Sequence, residues 1–291
     1  MRRPLLALLA LLAAPAALAQ IPGDLEFDEP DRFGNALATG DFNGDFSDDL
    51  VVGVYFESVG NTTEQYGGAV NVIYGTPVGG LDDAGAQYWH QDSPGIGDAA
   101  EDLDWFGSAL AVGDFDGDGF DDLAVSAPYE DRDSTDAVGQ LHVFYGSAAG
   151  ITSAGSFFLP NLPVQTAFLL LGHALAAGDF DGDGFDDLAL GLPGFNVGAA
   201  AAAGLVAVLF GTANGITTQG YQRWHQNTAG ILDQAETNDH FGWTLAAGDF
   251  DRDGFDDLAV GVPQEDVNGQ ANAGAVQALY GTANGLAAAR N

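Results

Sequence analysis

One unit recurs four times after residue 30, and any fold for this chain must be assembled from four copies of it. The copies open at Phe33-Gly34, Phe106-Gly107, Leu171-Gly172 and Phe241-Gly242. Eight residues on, each reaches the first aspartate of an acidic loop: Asp41, Asp114, Asp179 and Asp249. Each closes on an aromatic residue and a glycine, at Tyr74-Gly75, Tyr145-Gly146, Phe210-Gly211 and Tyr280-Gly281. From first Asp to closing Gly the span is 34 residues in the first copy and 32 in the other three. Such constancy marks a rigid structural unit, with length variation confined to the connections.

Inside a unit the hydrophobic period is two. Leu110-Ala111-Val112-Gly113 before the loop and Leu123-Ala124-Val125-Ser126-Ala127 after it are short and Gly-bounded, which predicts strands. The run 141–145 continues the pattern, with His142 expected on one face and Leu141 and Val143 on the other. A fourth strand is expected at 86–91, echoed at 221–226, where Trp-His-Gln recurs. No helix of consequence is expected. Three or four antiparallel strands per repeat give an all-β fold of propeller blades or a related repeat array.

The acidity of the chain is of the kind such loops use. Of 42 acidic residues only eight are Glu; the rest are Asp, the short acid of turns and metal loops. There is no Lys and no Cys, so neither a disulfide nor a lipidated cysteine can anchor the chain. Arg2 and Arg3, the apolar stretch 5–14 and Ala17-Leu18-Ala19 read as a signal peptide over 1–19, too short to span a bilayer, which takes roughly 20 apolar residues. The exported remainder, 20–291, sets five Arg against 42 acids, a formal charge of −37. That excludes nucleic acid and anionic membrane as natural partners, and no later stretch suits membrane insertion. At 46% apolar and 11% aromatic the chain can still bury a core.

The loops carry the chemistry. Asp114, Asp116, Asp118 and Asp122 stand at positions 1, 3, 5 and 9 of the second loop, with the Phe120 carbonyl at position 7 as a fifth oxygen. The third loop supplies Asp179, Asp181, Asp183, Phe185 and Asp187; the fourth supplies Asp249, Asp251, Asp253, Phe255 and Asp257, with Arg252 in a non-ligand slot. An all-oxygen cage of this size suits Ca²⁺, since Mg²⁺ takes fewer carboxylates and keeps its waters. An EF-hand is rejected, because position 12 is Val52, Val125, Leu190 or Val260 and strands flank the loop. The bidentate role therefore passes to position 9. The first loop, with Asp41, Asn43, Asp45, Ser47 and Asp49, is expected to be the weaker of up to four sites. Asn43 replaces an aspartate there, and Phe46 replaces the turn glycine at a strain of about 1 kcal/mol. At free calcium tenfold above Kd each site adds about 1.4 kcal/mol, so four sites add roughly 6 kcal/mol, the scale of a domain's whole net stability.

Phe-Gly, then DxDxDGxxDL, then Ser126-Ala127-Pro128, Gly191-Leu192-Pro193 or Gly261-Val262-Pro263, then Gly-x-Val-x-x-Tyr-Gly, resembles the FG-GAP repeat of integrin α chains and of many bacterial secreted proteins. The resemblance covers about 31–286, with repeats at about 31–90, 104–160, 169–226 and 239–291. It implies a β-propeller of four-stranded blades, each calcium loop joining the first two strands on the face opposite the ligand face. Recognition would then fall to loops 57–66, 130–138 and 264–273 and to the connection 92–104. Four units fall short of the family's seven blades, so the array is expected to be a fragment, a partial ring completed by another copy, or a ring whose outer strand comes from 21–27. Leu171 and the stretch 157–168, which lacks Trp-His-Gln, make the third unit atypical.

Function divides between a binding module and an enzyme. His90 and His225 occupy one repeat slot beside Trp89 and Trp224 and read as strand packing; His142, His173 and His240 complete the set. No G-x-S-x-G, no H-E-x-x-H and no Cys nucleophile is present. The expected function is a secreted, non-catalytic adhesion or recognition module, extracellular or at the cell surface, with the periplasm as the alternative location. Its ligand is expected to be an extracellular protein or glycan, with self-association as a route to ring completion. An extracellular hydrolase or lyase on the same scaffold, or an accessory domain of one, is the alternative.

Overall fold

The computed structural model describes residues 32–59, 66–131, 135–158 and 168–288. Among them the chain forms fifteen strands and no helix. β1 (Ala36–Gly40), β2 (Asp49–Val54), β3 (Ala69–Tyr74) and β4 (Asp82–Trp89) pair in that order as one antiparallel sheet. β5 (Leu110–Gly113), β6 (Asp122–Ala127), β7 (Gln140–Tyr145) and β8 (Thr152–Phe158) form the second sheet. β9 (Leu175–Gly178), β10 (Asp187–Leu192), β11 (Leu205–Phe210) and β12 (Thr217–Trp224) form the third. The fourth has three strands among the described residues: β13 (Thr244–Gly248), β14 (Asp257–Val262) and β15 (Ala275–Leu279). Both the expected signal peptide at 1–19 and the segment 21–27 lie outside the described residues.

Register repeats as faithfully as sequence. Each acidic loop is closed by the same pair, Gly40↔Asp49, Gly113↔Asp122, Gly178↔Asp187 and Gly248↔Asp257. The outer strand of each four-stranded sheet slips past its neighbour at a bulge, between Val72 and Tyr74, Val143 and Tyr145, and Val208 and Phe210. β8 forms without the Trp-His-Gln motif, so that motif is not what makes an outer strand. Leu171 fills the place of Phe106 and Phe241 and is as completely buried as either.

The sheets stack as the blades of a propeller. β1 lies beside β5, β5 beside β9 and β9 beside β13, and an apolar layer fills each space between blades. Val70, Val72 and Phe42 of the first blade meet Leu123, Val125 and Phe144 of the second. Leu141 and Val143 then meet Leu188 and Leu190 of the third, and Val206 and Val208 meet Leu258 and Val260 of the fourth. Stacking corrects one expectation. His142 is expected to face outward and Leu141 or Val143 inward, or the reverse, yet all six residues of β7 are buried, as are all six of β3. The fourth blade shows the contrast: Val276 is 72% exposed, while its repeat equivalents Val70, Leu141 and Val206 are at 0%.

At two backbone crossings between blades only hydrogen fits. A Cβ on Gly191 would lie 2.0 Å from the Gly242 carbonyl oxygen, and one on Gly53 would lie 2.2 Å from that of Gly107. The Phe-Gly glycine of one blade thus seats against a bare backbone on the blade before it.

His142 is buried in this packing, edge-on to Phe106, with Nε2 3.7 Å from Asp98. Burial pushes its imidazole down to about 3. The unfolded chain takes up a proton near pH 6.5 that the native fold refuses, so His142 costs stability as pH falls from 6.5 toward 3. Replacing it by Asn, the residue at the equivalent position Asn71, should remove that sensitivity. In urea melts from pH 7 to 4.5, the stability of wild type relative to His142→Asn should fall by about 1.4 kcal/mol per pH unit below 6.5. Parallel pH profiles would contradict this account.

Candidate metal centres

Each acidic loop is a nine-residue turn that folds its carboxylates back onto its own backbone. In the second loop Asp114 Oδ1 accepts from the Asp118 N–H at 3.1 Å, and Oδ2 accepts from the Gly119 N–H at 3.0 Å. Asp116 Oδ1 accepts from the same Asp118 N–H at 3.1 Å, and Asp118 Oδ1 accepts from Phe120 at 3.0 Å. The third and fourth loops repeat this wiring through Asp179, Asp181 and Asp183, and through Asp249, Asp251 and Asp253. The first repeats it with Asn43 Oδ1 accepting from Asp45 at 2.9 Å, and with Asp45 accepting from Ser47.

The ninth residue is different in kind. Asp122 is at 0% exposure, and its two oxygens accept from two buried backbone groups, the Phe115 N–H at 2.9 Å and the Gly146 N–H at 2.8 Å. Asp49 does the same with Phe42 and Gly75, Asp187 with Phe180 and Gly211, and Asp257 with Phe250 and Gly281. Burial pushes Asp122 and Asp187 up to about 8 and Asp49 up to about 6, against the opposing pull of those N–H groups. The site therefore holds a carboxylate that needs a positive partner to stay charged.

Three of the expected ligands come together in each complete loop. Oxygens of Asp114, Asp116 and Asp122 lie within 4.8 Å of one another, as do those of Asp179, Asp181 and Asp187, and of Asp249, Asp251 and Asp257. Two oxygens held by one divalent ion at about 2.4 Å sit no farther than ~4.8 Å apart, so the donor set fits a hard cation. Asp118, Asp183 and Asp253 at position 5 stand outside these groups; Asp118 and Asp183 act on the neighbouring Asp116 and Asp181, helping burial to raise them. In the first loop Asn43 takes the third position, leaving Asp41 and Asp49 as carboxylates of that group. Phe46 adopts the positive φ of 66° that its sequence position implied, and is 97% exposed.

Two features of the loops escaped the sequence reading. Position 4 also needs positive φ, met by Gly44, Gly117 and Gly182 but by Arg252 at 64° in the last loop. The Asp at position 8 belongs to the neighbouring blade's loop. Asp121 Oδ2 accepts from the Asp41 N–H at 2.7 Å while the Asp121 N–H donates to the Asp41 carbonyl at 3.1 Å. Asp186 clasps Asp114, and Asp256 clasps Asp179, by the same two bonds. The doubled Asp-Asp in every repeat was the available clue.

These loops and blades match the model of the FG-GAP repeat at 33–73, 106–144, 171–209 and 241–279. The chain belongs to the FG-GAP repeat family. Among relatives of this FG-GAP chain, the phosphatidylinositol-glycan-specific phospholipase D of Rattus norvegicus is 35% identical over 185 residues, 62% of this chain and 20% of that protein. Integrin alpha-5 of Xenopus laevis is 29% identical over 235 residues, 79% of this chain and 20% of the integrin. The FG-GAP chain thus spans about a fifth of the length of these relatives. A rhamnogalacturonan lyase of Bacillus licheniformis aligns with a TM-score of 0.45 at 13% identity, over 78% of this chain and 39% of the lyase.

The clasp between blades can be weighed. Asp186→Ala leaves the Asp114 N–H without its acceptor and should cost about 1–3 kcal/mol in urea unfolding. Asp48, at the same position of the first blade, is exposed, and Asp48→Ala should change stability by less than about 0.5 kcal/mol. Equal costs for the two variants would show that the bond between blades is not what Asp186 contributes.

Proposed function

We propose that this FG-GAP chain is an exported, non-catalytic recognition module whose acidic loops are stapled by calcium. The observation that carries the proposal is the three-carboxylate group recurring at one end of three successive blades, each built on a buried aspartate. Calcium would supply the positive charge that lets those carboxylates stay ionised together; Asp114, Asp116 and Asp122 and their repeats would hold it. The first loop, with Asn43, would bind more weakly.

Recognition falls to the opposite end, where β2 and β6 finish. Trp105 lies 4.1 Å from Tyr129, 5.1 Å from Tyr55 and 5.3 Å from Phe56 between ring centroids, and Phe56 lies 4.8 Å from Tyr66. Arg32 stacks over Phe56 at 4.6 Å. Apart from the buried Tyr55, these rings are partly exposed and offer flat apolar faces, which suits an extracellular glycan ahead of a protein ligand. The integrin relatives support a recognition role. The phospholipase is matched over a fifth of its length, so its activity is not carried to this chain. A hydrolase or lyase remains the competing class.

Calcium at a millimolar level should raise Tm by well over 5 °C relative to EDTA, and Asp116→Asn with Asp181→Asn should remove much of that rise. On an oligosaccharide panel, calcium-loaded protein should bind at least one glycan, with Trp105→Ala weakening it tenfold or more. No calcium shift would sink the staple; turnover of any panel member would favour the enzyme.

The same reading includes ring completion by a second copy. The open face of the fourth blade exposes Val276 at 72% and Phe250 at 53%, whereas Phe42, Phe115 and Phe180 are at 0%. The first blade presents Leu37 at 63% on the side away from β5, and Gly80 with nothing within 4 Å where Gly150 receives the Tyr74 hydroxyl of the preceding blade. Sedimentation should show a concentration-dependent dimer that Val276→Asp abolishes; a monomer at every concentration would remove this part of the reading.

A further inference from the structure

At the end of the blades opposite the acidic loops lies a second set of carboxylates, two of them deeply buried and the third, Glu101, exposed. Asp104 and Glu130 are 1% and 6% exposed, and oxygens of Glu101, Asp104 and Glu130 lie within 4.8 Å of one another. Gln91, at 0% exposure, aims its amide into them, its Nε2 donating to Glu130 Oε2 at 2.6 Å and reaching Asp98 at 3.5 Å. The other atom of that amide, Gln91 Oε1, is buried with no hydrogen-bond partner. A buried acceptor without a donor is costly, and here it stands beside carboxylates that are acceptors too.

The same residue set recurs at the junction of the third and fourth blades, although its three carboxylates do not draw within 4.8 Å of one another there. Gln226, Glu236, Asp239 and Glu265 recur at one constant offset from Gln91, Glu101, Asp104 and Glu130. The Gln226 amide donates to Glu265, and the Glu236 N–H donates to Asp239 as the Glu101 N–H does to Asp104. Gln226 Oε1 is again buried without a partner, and so is Glu265 Oε1. Burial, helped by the neighbouring acids, pushes both Glu130 and Asp104 well above the usual carboxylate range, and Glu265 up to about 7.

The junction between the second and third blades supplies the internal control. There Leu169 stands in the place of Asp104 and Phe195 in the place of Glu130, with Leu169 at 0% exposure. Blade stacking is thus satisfied by apolar residues alone, and the acids are present or absent as a set. Packing alone does not explain them.

We propose that Gln91, Glu101, Asp104 and Glu130 form a second class of divalent-cation site, repeated by Gln226, Glu236, Asp239 and Glu265, at the end of the blades opposite the acidic loops. A calcium-sized ion within about 2.4 Å of these oxygens satisfies the orphaned Gln91 Oε1 and neutralises the buried pair in one step. Trp105 adjoins Asp104 and Tyr129 adjoins Glu130 in sequence, so the ion also fixes the backbone under the aromatic patch. This site stands whether or not the acidic loops take calcium.

Terbium, a luminescent ion of calcium's size, tests it on the full chain with excitation of tryptophan alone. Emission sensitised by tryptophan should saturate at about two equivalents and persist in an Asp116→Asn, Asp181→Asn, Asp251→Asn variant. It should fall about twofold in Glu130→Gln and to background in Glu130→Gln with Glu265→Gln. Emission that ignores the two Glu substitutions, or none in wild type, overturns the proposal and leaves a proton as what the buried acids share. Should the Gln variants fail to fold, anomalous scattering from terbium-soaked wild-type crystals decides. A peak within about 3 Å of the Glu130 carboxylate supports the site, and its absence overturns it.

Discussion

The fold depends on one buried carboxylate per repeat. Asp49, Asp122, Asp187 and Asp257 each accept two backbone N–H groups, one at the start of the loop and one just past the third strand. Those donors belong to segments with no strand partner at that point, so without the carboxylate they would be buried and unpaired. Asparagine cannot replace it, since one end of an amide is a donor and would face an N–H. Because the same residue pairs with Gly40, Gly113, Gly178 or Gly248 in the ladder, the clasp also fixes the register of the first two strands. A slip of one residue would turn every core side chain to the wrong blade.

That requirement explains how much was legible in advance. Strand positions, loop ends and the three-carboxylate groups are governed by residues within nine positions of one another, and turn chemistry at that range leaves a plain pattern. What was missed depends on contacts between blades. The Asp186 clasp on Asp114 joins residues 72 apart, and Gln91 reaches Glu130 across 39. Burial of both faces of β7 was hidden for the same reason. Period two announces a strand, but whether its second face meets water depends on what stacks there. Leu171 looked like a departure from the repeat and is none, because the position asks only for a large apolar side chain, and Leu171 buries fully.

The two ends of a blade are built on opposite electrostatic terms. At the loop end the first and third aspartates are half-exposed or exposed, so only the ninth residue bears a full desolvation cost. At the other end Asp104 and Glu130 are both buried, with a glutamine between them and apolar substitutes available one blade away. Retaining ionisable groups where leucine and phenylalanine also serve is a cost that stability alone does not offset.

Strain in the loops follows the same boundary between inner and end blades. Gly44, Gly117 and Gly182 carry positive φ, and each also receives a phenylalanine ring from the next blade: Phe120, Phe185 or Phe255, within 2.6 Å of where a Cβ would stand. Two independent constraints demand glycine there. Arg252 occupies the equivalent place in the fourth blade, where the described residues provide no following ring, so only the backbone term remains, on the order of 1 kcal/mol. In the first blade the ring itself is gone, since Ser47 stands where the others have phenylalanine. The residue that no longer needs to be glycine and the residue that no longer needs to be aromatic lie on the two outward faces.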